Sequence, residues 1–237
     1  VRQKTNLFPD KVKQFLVGDF GSKPDFSASL IDIDCVIHLA GKAHMTNKSK
    51  APVLSEFRKI NTEWTLSLAK QAIEFGVKRL VFLSSIGVNG NKTDSVFLED
   101  DAPNPQEAYA LSKYEAEQGL LKLAQNSNLE IVIIRPPLVY GKGAPGNFGR
   151  LIQWADARFI FPLPLGAVNN SRSLIAIDNL VNFIIVCTLH LKSVNEIFLI
   201  SDNDTLSTTQ LLKKIAKAFN KKALLLPVPI SWMIFVA

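Results

Sequence analysis

The amino-acid sequence predicts a doubly wound α/β fold built on a parallel sheet. Two features of its 237 residues carry this prediction. Short apolar segments, typical of strands buried on both faces, alternate with amphipathic segments of helical periodicity. The alternation continues up to residue 141, and a strand–helix–strand order of this kind places consecutive strands parallel in one sheet. Beyond residue 141, glycine and proline become frequent, which indicates a second and smaller region.

The individual elements follow from local patterns. A helix is predicted over 56–75 because apolar residues recur there at spacings of three and four, and Gly76 suits the position just after its end. A second long helix is predicted over 108–125, which is rich in Ala, Leu, Glu and Lys. We expect a sheet domain over 1–141 and a smaller region over 142–237 that partly returns to the sheet. The expected strands are the short apolar segments 12–19, 34–41, 79–85, 131–139, 173–177 and 196–200.

Composition restricts the class of protein. A chain that is 47% hydrophobic and 20% charged can bury a sizeable core. The net charge of +6 suits an anionic ligand such as a nucleotide. No basic segment interleaved with aromatic residues indicates a nucleic-acid groove. The two most apolar stretches, 173–191 and 223–237, are interrupted by polar residues or prolines, so we expect no integral membrane segment.

The cysteines and histidines give a consistent expectation. Cys35 and Cys187 both lie in apolar stretches and are interpreted as buried free thiols of a cytoplasmic protein. His38 lies within an apolar strand and is interpreted as a core histidine with satisfied hydrogen bonds. His44 and His190 have no partners at the spacing of metal ligands, so no metal site is expected.

One pair of residues suggests chemistry. Tyr109 and Lys113 are four residues apart in the helix predicted over 108–125, and therefore lie one turn apart on the same face. An ammonium beside a phenol lowers the pKa of the phenol, which can then act as a general base. Ligands of doubly wound sheets bind at the carboxyl ends of the strands, where the strand over 79–85 ends in Ser85. Three such residues around an alcohol suit proton removal coupled to hydride transfer to a nicotinamide.

Several motifs, each weak alone, form an ordered set. They are Gly18-Asp19, His38-Leu39-Ala40-Gly41, Asn61, Val81-Phe82-Leu83-Ser84-Ser85, Tyr109-x-x-x-Lys113 and Arg135-Pro136-Pro137-x-Val139-Tyr140-Gly141. The set resembles the extended short-chain dehydrogenases/reductases, and within them the NAD-dependent epimerase/dehydratase family. The likeness is to the nucleotide-sugar branch typified by UDP-glucose/UDP-galactose 4-epimerase. Residues 84–90 and 146–148 look closer still to bacterial surface-polysaccharide enzymes, including UDP-N-acetylquinovosamine dehydrogenase/4-ketoreductases of O-antigen synthesis.

The resemblance implies a role for each matching residue. Tyr109 would be the acid/base, Lys113 would hold the nicotinamide ribose and tune Tyr109, and Ser85 would bond the reacting oxygen. Asn147 and Arg172 would bind the pyrophosphate of a UDP-sugar substrate, alongside Ser85. The other implied contacts with the cofactor are Asp19, Phe20, Leu39, Ala40, Gly41, Asn61, Ser84 and Pro136.

Some alternatives stay open at the level of sequence. Ser84 could merely end its strand, and Lys42 could contact phosphate or face solvent. NAD is the implied cofactor, whereas Arg2 at the end of a strand would favour NADP. The resemblance also implies a homodimer packed through the two long helices.

The sequence departs from the family pattern in two places, which bear on cofactor binding and on the type of reaction. No glycine precedes Gly18, so the Rossmann-like domain over 1–141 would lack its first βα unit and the glycine-rich turn that cradles pyrophosphate. We expect a fragment, incomplete at both ends, that binds NAD poorly as written. Second, Ile86-Gly87 follow Ser85 where 4,6-dehydratases carry Asp-Glu, which disfavours dehydration.

Three functions remain open. Epimerisation at C4 of a UDP-hexose is the first. Reduction of the 4-keto group of a UDP-2-acetamido-6-deoxyhexose needs the same Ser85, Tyr109 and Lys113, so these residues do not separate the two. A non-catalytic NAD(P)-binding module is the third, and the intact set of three residues argues against it. In either enzyme, residues 142–237 would form the substrate-binding region.

Overall fold

The fold is seen in a computed structural model that describes residues 4–17, 24–43, 54–143, 146–157 and 162–228. The chain divides into two compact units. The first comprises 1–136 with 182–199, and the second comprises 137–181 with 200–237. The boundary expected at residue 141 therefore lies within the second unit.

The elements alternate between strand and helix along most of the described residues. The strands are β1 (Cys35–His38), β2 (Arg79–Leu83), β3 (Glu130–Arg135), β4 (Leu138–Tyr140), β5 (Arg172–Ala176), β6 (Ile197–Leu199) and β7 (Thr205–Leu206). The α-helices are α1 (Ser27–Leu30), α2 (Leu54–Phe57), α3 (Trp64–Glu74), α4 (Ala108–Gln125), α5 (Gly146–Asp156), α6 (Ile177–Leu189) and α7 (Thr208–Ala218). A π-helical turn, Arg58–Glu63, joins α2 to α3, and short 3₁₀ turns occupy Ile86–Val88 and Leu191–Ser193.

The sheet of the first unit is parallel throughout. Its order is β1-β2-β3-β6, and every neighbouring pair runs in the same direction. Helix α3 connects β1 to β2 and α4 connects β2 to β3, as βαβ units require. The parallel α/β class predicted from the sequence is therefore confirmed. In the second unit, β5 pairs parallel with β4 and antiparallel with β7.

Two expected strands differ from the structure. The strand over 131–139 is divided into β3 and β4, because Pro136 and Pro137 between them have no N–H for a ladder. The strand over 12–19 is wrong for residues 12–17, and its last two residues lie outside the described chain. Instead, the Gln14 side chain accepts from the backbone N–H of Thr5 at 3.0 Å and donates to its carbonyl oxygen at 2.8 Å.

The core of the first unit lies between the sheet and the long helices. Residues 80–82 of β2 and 131–134 of β3 are at most 1% exposed, so these strands are buried on both faces as their sequences predict. Helix α4 packs closely on α3 at Gly119, where an added Cβ would lie 2.5 Å from a methyl carbon of Leu66. In the second unit, Phe148 and Ala155 pack against Ile215 of α7.

An ion pair anchors the amino ends of two core strands. Arg79, the first residue of β2, is 6% exposed and lies 2.7 Å from the carboxylate of Glu130, the first residue of β3. The same guanidinium donates to the carbonyl oxygens of Cys187 and His190 at 2.9 and 3.1 Å. It thereby satisfies carbonyl groups at the end of α6 that the helix itself leaves unpaired.

Three further features are the state of the cysteines, the arrangement of possible metal ligands and the character of the helices. Cys35 and Cys187 are both free thiols. Over the described ranges, we find no group of three or more His, Cys, Asp and Glu side chains arranged to hold a metal ion. Within the same ranges, no helix combines the length and the apolar character needed to cross a bilayer.

Candidate active site

Ser85 lies at the carboxyl end of β2, beside the first turn of α4. Its hydroxyl oxygen accepts from the backbone N–H of Gly87 at 3.1 Å, which caps the 3₁₀ turn. A Cβ placed on Gly87 would lie 3.3 Å from Cβ of Ala110 and 3.4 Å from Oγ of Ser85. The turn after Ser85 thus packs against the residue that follows Tyr109. The Ser85 hydroxyl proton can be donated to an incoming oxygen, because its oxygen acts here only as an acceptor.

Lys113 is the buried cation of this site. It is 2% exposed, and its Nζ donates to the carbonyl oxygen of Leu83 at 2.9 Å. The ammonium also lies 4.5 Å from the centre of the Phe82 ring, a favourable cation–π contact. Burial lowers the pKa of Lys113 to about 8, while the carboxylate of Glu117 acts in the opposite direction. Lys113 therefore keeps its positive charge at neutral pH.

Tyr109 lies one turn before Lys113 and is held by its ring. The ring packs edge-on against Phe57, with 6.2 Å between the centroids. Burial raises the pKa of Tyr109. The lower pKa that the sequence predicts from the neighbouring ammonium is therefore wrong. The difference arises because the phenol loses water on burial and Lys113 donates to Leu83. Burial therefore disfavours the phenolate at this position.

Asn61 joins the loop after β1 to helix α4. Its Oδ1 accepts from the backbone N–H of Lys42 at 2.8 Å. Its Nδ2 donates to the Lys42 carbonyl oxygen and to Oγ of Ser112, at 3.1 and 3.0 Å. Asn61 is fully buried within the π-helical turn, a type of turn that is frequent at functional sites. Its side chain positions the loop through Lys42, and its second amide hydrogen bonds to α4.

The loop after β1 is an exposed stretch of backbone. Leu39, Ala40 and Gly41 are all exposed at the carboxyl end of that strand. A Cβ on Gly41 would lie 3.1 Å from Nζ of Lys113 and 3.3 Å from Oδ1 of Asn61. Glycine therefore allows this backbone to approach the buried ammonium closely. Lys42, whose role the sequence left open, pairs with Glu56 at 2.7 Å.

We expect Gly41→Ala to weaken NAD binding about fivefold. The added methyl group pushes the Lys113 ammonium away from the Leu83 carbonyl, and a strained side chain of this kind costs about 1 kcal/mol. Fluorescence titration of the intact protein with NADH measures the change. Ala43→Ser, a change of similar size in the same loop, is the control and should keep the parental affinity. Unchanged NADH affinity in Gly41→Ala would contradict the expected crowding.

The remaining candidates fall into three groups. The Ser84 hydroxyl donates to the buried carboxylate of Glu117, and the Pro136 carbonyl oxygen accepts from Ile86 N–H at 3.0 Å. Both residues thus hold the segment around Ser85 in place through these hydrogen bonds. In the second unit, Arg172 is the exposed first residue of β5, and residue 147 belongs to α5. The implied roles of Asn147 and Arg172 stay predictions. Outside the described residues lie Arg2, Asp19 and Phe20.

Sequence reasoning missed Glu117. It lies one turn after Lys113 on the same face of α4, so a spacing of four continues from Tyr109 through both residues. An acidic residue in a helix otherwise suggests a solvated face, and only this periodicity points inward. Its carboxylate is fully buried and paired with Arg135.

His38 is a core histidine, as predicted. Its Nε2 lies 2.8 Å from Oγ of Thr65, and that hydroxyl donates to the Asn61 carbonyl oxygen at 2.8 Å. Because the hydroxyl has only one proton and donates it to Asn61, His38 must donate from Nε2. Burial, assisted by the positive charge of Lys113, lowers the pKa of His38 to about 3.

We expect the neutral His38 to make the fold sensitive to acid. The unfolded chain binds a proton at the imidazole below pH ~6.5, whereas the folded protein resists it down to about 3. Stability therefore falls as the pH decreases through this window, by about 2 kcal/mol between pH 8 and pH 5. His38→Gln keeps a donor to Thr65 but cannot titrate. Urea unfolding across this pH range should show a shallower loss for the variant, and an equally steep loss would contradict the assignment.

Comparison with known proteins identifies the family. Residues 2–201 match the NAD dependent epimerase/dehydratase family. The chain belongs to this family, and the resemblance noted in its motifs is confirmed.

Individual relatives are similar over most of the chain. UDP-glucose 4-epimerase of Vibrio cholerae is 43% identical over 219 residues, which cover 91% of this chain and 66% of that protein. The dTDP-4-dehydro-6-deoxyglucose reductase of Escherichia coli is 28% identical over 199 residues, 82% of this chain and 62% of the relative. The chain thus spans less than two thirds of the length of both.

A solved structure shows the same fold. The UDP-glucuronic acid 4-epimerase of Bacillus cereus, in complex with NAD, superimposes with a TM-score of 0.72 at 24% identity. The match covers 90% of this chain and 68% of that one. The doubly wound, Rossmann-type architecture is therefore shared.

Proposed function

We propose that this chain is part of an NAD-dependent enzyme that inverts C4 of a UDP-hexose. The observation that carries the proposal is the grouping of Ser85 and the Tyr109–Lys113 pair at the carboxyl end of β2. The substrate class is supported by the 43% identity to a protein named as a UDP-glucose 4-epimerase. The Ile86-Gly87 sequence after Ser85 has no acidic pair for the elimination of water, which favours epimerisation over dehydration.

The described residues fit the nicotinamide end of NAD. Gly41 leaves open backbone beside Lys113, where a Cβ would approach the ammonium to 3.1 Å. In the proposal, Lys113 donates to the ribose hydroxyl groups, and Leu39, Ala40 and Gly41 line the cofactor. Bound NAD supplies the acceptor and donor of hydride at its nicotinamide ring. Asp19 and Phe20 complete the proposed contacts at the adenine end, and Arg2 leaves room for NADP instead.

Three side chains divide the work on the sugar. Tyr109, as phenolate, takes the proton from the C4 hydroxyl while hydride leaves the same carbon. Ser85 donates its hydroxyl proton to the C4 oxygen and so fixes its position. Lys113 lowers the energy of the phenolate through its positive charge. In the second half of the reaction, Tyr109 returns the proton to the oxygen of the 4-keto sugar, which presents its opposite face. Asn147 and Arg172 hold the pyrophosphate in this proposal.

A second candidate is reduction of a 4-keto sugar, such as that of a UDP-2-acetamido-6-deoxyhexose. It is favoured by the 28% identity to a protein named as a dTDP-4-dehydro-6-deoxyglucose reductase. The proton then moves from Tyr109 to the substrate oxygen, and external NAD(P)H is consumed. The same three side chains serve both reactions, so the assay must distinguish them.

The test is to follow sugars by NMR. The intact protein is incubated with NAD and either UDP-glucose or UDP-N-acetylglucosamine. Inversion at C4 without net change in NAD supports the epimerase. Consumption of NAD(P)H on a 4-keto sugar, with no inversion, supports the reductase. Binding of NADH without turnover of any of these sugars would leave the non-catalytic module.

The proposal includes a homodimer. The family resemblance implies packing through the two long helices, here α3 and α4. Light scattering of the intact protein tests this state, and a monomeric mass at micromolar concentration would contradict it.

A further inference from the structure

A buried carboxylate lies one helical turn after the proposed catalytic pair, on the same face of α4. Glu117 is 0% exposed, and its two oxygens accept from Nε and Nη2 of Arg135 at 3.0 and 2.6 Å. Arg135 is 2% exposed and is the last residue of β3. The Ser84 hydroxyl donates to the same carboxylate. The proposed mechanism uses none of these groups. Both oxygens of the Glu117 carboxylate nevertheless accept hydrogen bonds.

The ion pair contacts the chain on both sides of Ser85. Ser84 precedes it, and Nη1 of Arg135 donates at 3.0 Å to Oδ1 of Asn89, which follows the 3₁₀ turn. Asn89 in turn donates to the Leu98 carbonyl oxygen at 3.1 Å. The segment that carries Ser85 is therefore fixed at both ends to one buried pair.

The same helix fixes the cation. Lys113, one turn before Glu117, donates to the Leu83 carbonyl oxygen, and Leu83 immediately precedes Ser84. Two side chains of α4 therefore reach two successive residues, the last residue of β2 and the residue that follows it. Any shift of α4 along the strand would break both hydrogen bonds together, so the position of Ser85 relative to α4 is determined by this arrangement.

Stability alone does not account for the ion pair. Removing two charges from water costs about as much as their attraction returns, and apolar side chains of similar volume often stabilise a core better. A buried pair with every hydrogen bond made contributes mainly a unique geometry. Here that geometry includes the position of Ser85 and the surroundings of Lys113, on which the proposed chemistry depends.

The pair also sets the electrostatic surroundings of Lys113. Among the described elements packed around the ammonium, β1 contributes the neutral His38, β2 contributes the Phe82 ring, and the π-helical turn contributes Asn61. Helix α4 itself contributes Tyr109 and Glu117, and only Glu117 brings a negative charge. Arg135 of β3 pairs with that carboxylate at 2.6 Å.

We infer that Glu117, held by Arg135, is a positioning residue that aligns Ser85 with Tyr109 and Lys113 and provides the counter-charge of Lys113. The inference rests on the proposed function, because it assigns Glu117 a task in that reaction. Glu117 does not touch the substrate and acts through Ser84 and Lys113.

The first test is Glu117→Gln in the intact protein. Without the negative charge, Lys113 loses its proton at a lower pH, and the uncompensated Arg135 acts in the same direction. The alkaline limb of the pH–kcat profile should move down by about one pH unit. At pH 8, kcat should fall roughly fivefold, while KM for the sugar changes less than twofold. Glu115→Gln removes a half-buried carboxylate, paired with Arg58, from the same helix and should leave the profile unchanged.

Ser84→Ala provides the second test without changing any charge. It removes one hydrogen bond to Glu117, so kcat should fall about fivefold while the alkaline limb stays in place. This variant keeps the inference falsifiable if Glu117→Gln does not fold. Parental kcat in Ser84→Ala would overturn the alignment of Ser85, and a parental alkaline limb in folded Glu117→Gln would overturn the counter-charge.

A readout that needs no turnover separates this inference from the proposed function. The ¹³Cε resonance of Lys113, followed by NMR against pH, reports its protonation directly. Its midpoint should fall by about one unit in Glu117→Gln and stay unchanged in Glu115→Gln. If the parent protein converts no sugar but this shift appears, the proposed reaction fails and the counter-charge stands. An unshifted midpoint in an active protein would overturn the counter-charge alone.

Discussion

Tyr109→Phe is expected to abolish most of the turnover of UDP-glucose by the intact protein. The change removes only the phenol oxygen and leaves a ring that can keep its edge-on contact with Phe57, 6.2 Å away. Loss of a general acid/base reduces kcat about 10²–10⁴-fold. NADH affinity should change little, because Lys113 and the backbone at Gly41 remain in place.

The change should be confined to the chemical step. Inversion at C4 measured by NMR gives the rate, and fluorescence titration gives the affinity for NADH. Tyr114→Phe removes a phenol oxygen from the same helix five residues later and is the matched control, with parental activity expected. If Tyr109→Phe kept activity within a few-fold of the parent, another group would have to move the proton and the assignment would be lost.

Much of the fold could be predicted because its signals are local. The helix over 108–125 coincides with α4, since helix-forming residues fill it and the loop at Asn104-Pro105 precedes it. The buried strands β2 and β3 appear as apolar segments because both of their faces are covered. Patterns of this kind need no knowledge of distant neighbours.

Elements whose structure depends on a partner distant in the sequence could not be predicted. Residues 12–17 have the apolar pattern of a strand, but a strand exists only when a neighbour pairs with it, and Gln14 bonds Thr5 instead. The π-helical turn Arg58–Glu63 lies between α2 and α3, within the stretch predicted as one helix. It follows from the tertiary bonds of Asn61 to the loop after β1 and to α4.

The candidate site divides in the same way. Ser85, Tyr109 and Lys113 could be found from spacing and from the end of a strand. Asn61 stays a predicted cofactor contact, and its amide also holds the loop after β1. Glu117 could not be found in this way because its partner, Arg135, is 18 residues away in the strand β3. No helical pattern states which strand residue will face a buried acid.

Arg135→Met is expected to cost the largest share of stability of any single change discussed. It leaves the fully buried Glu117 carboxylate without its partner, and breaking a buried ion pair in this way costs about 3–5 kcal/mol. Urea unfolding of the intact protein, followed by circular dichroism, measures the loss. Arg58→Met, which breaks the exposed pair with Glu115, is the control and should cost less than about 1 kcal/mol.

The double variant Arg135→Met, Glu117→Leu separates stability from positioning. With both charges gone, the apolar side chains fill similar space, so stability should return to within about 1–2 kcal/mol of the parent. Activity should not return, because nothing then fixes Ser84 or balances the charge of Lys113. A double variant as unstable as Arg135→Met would mean that lost packing, not the unpaired charge, causes the damage. A stable double variant with parental kcat would show that the ion pair serves the fold and has no part in the alignment of the site.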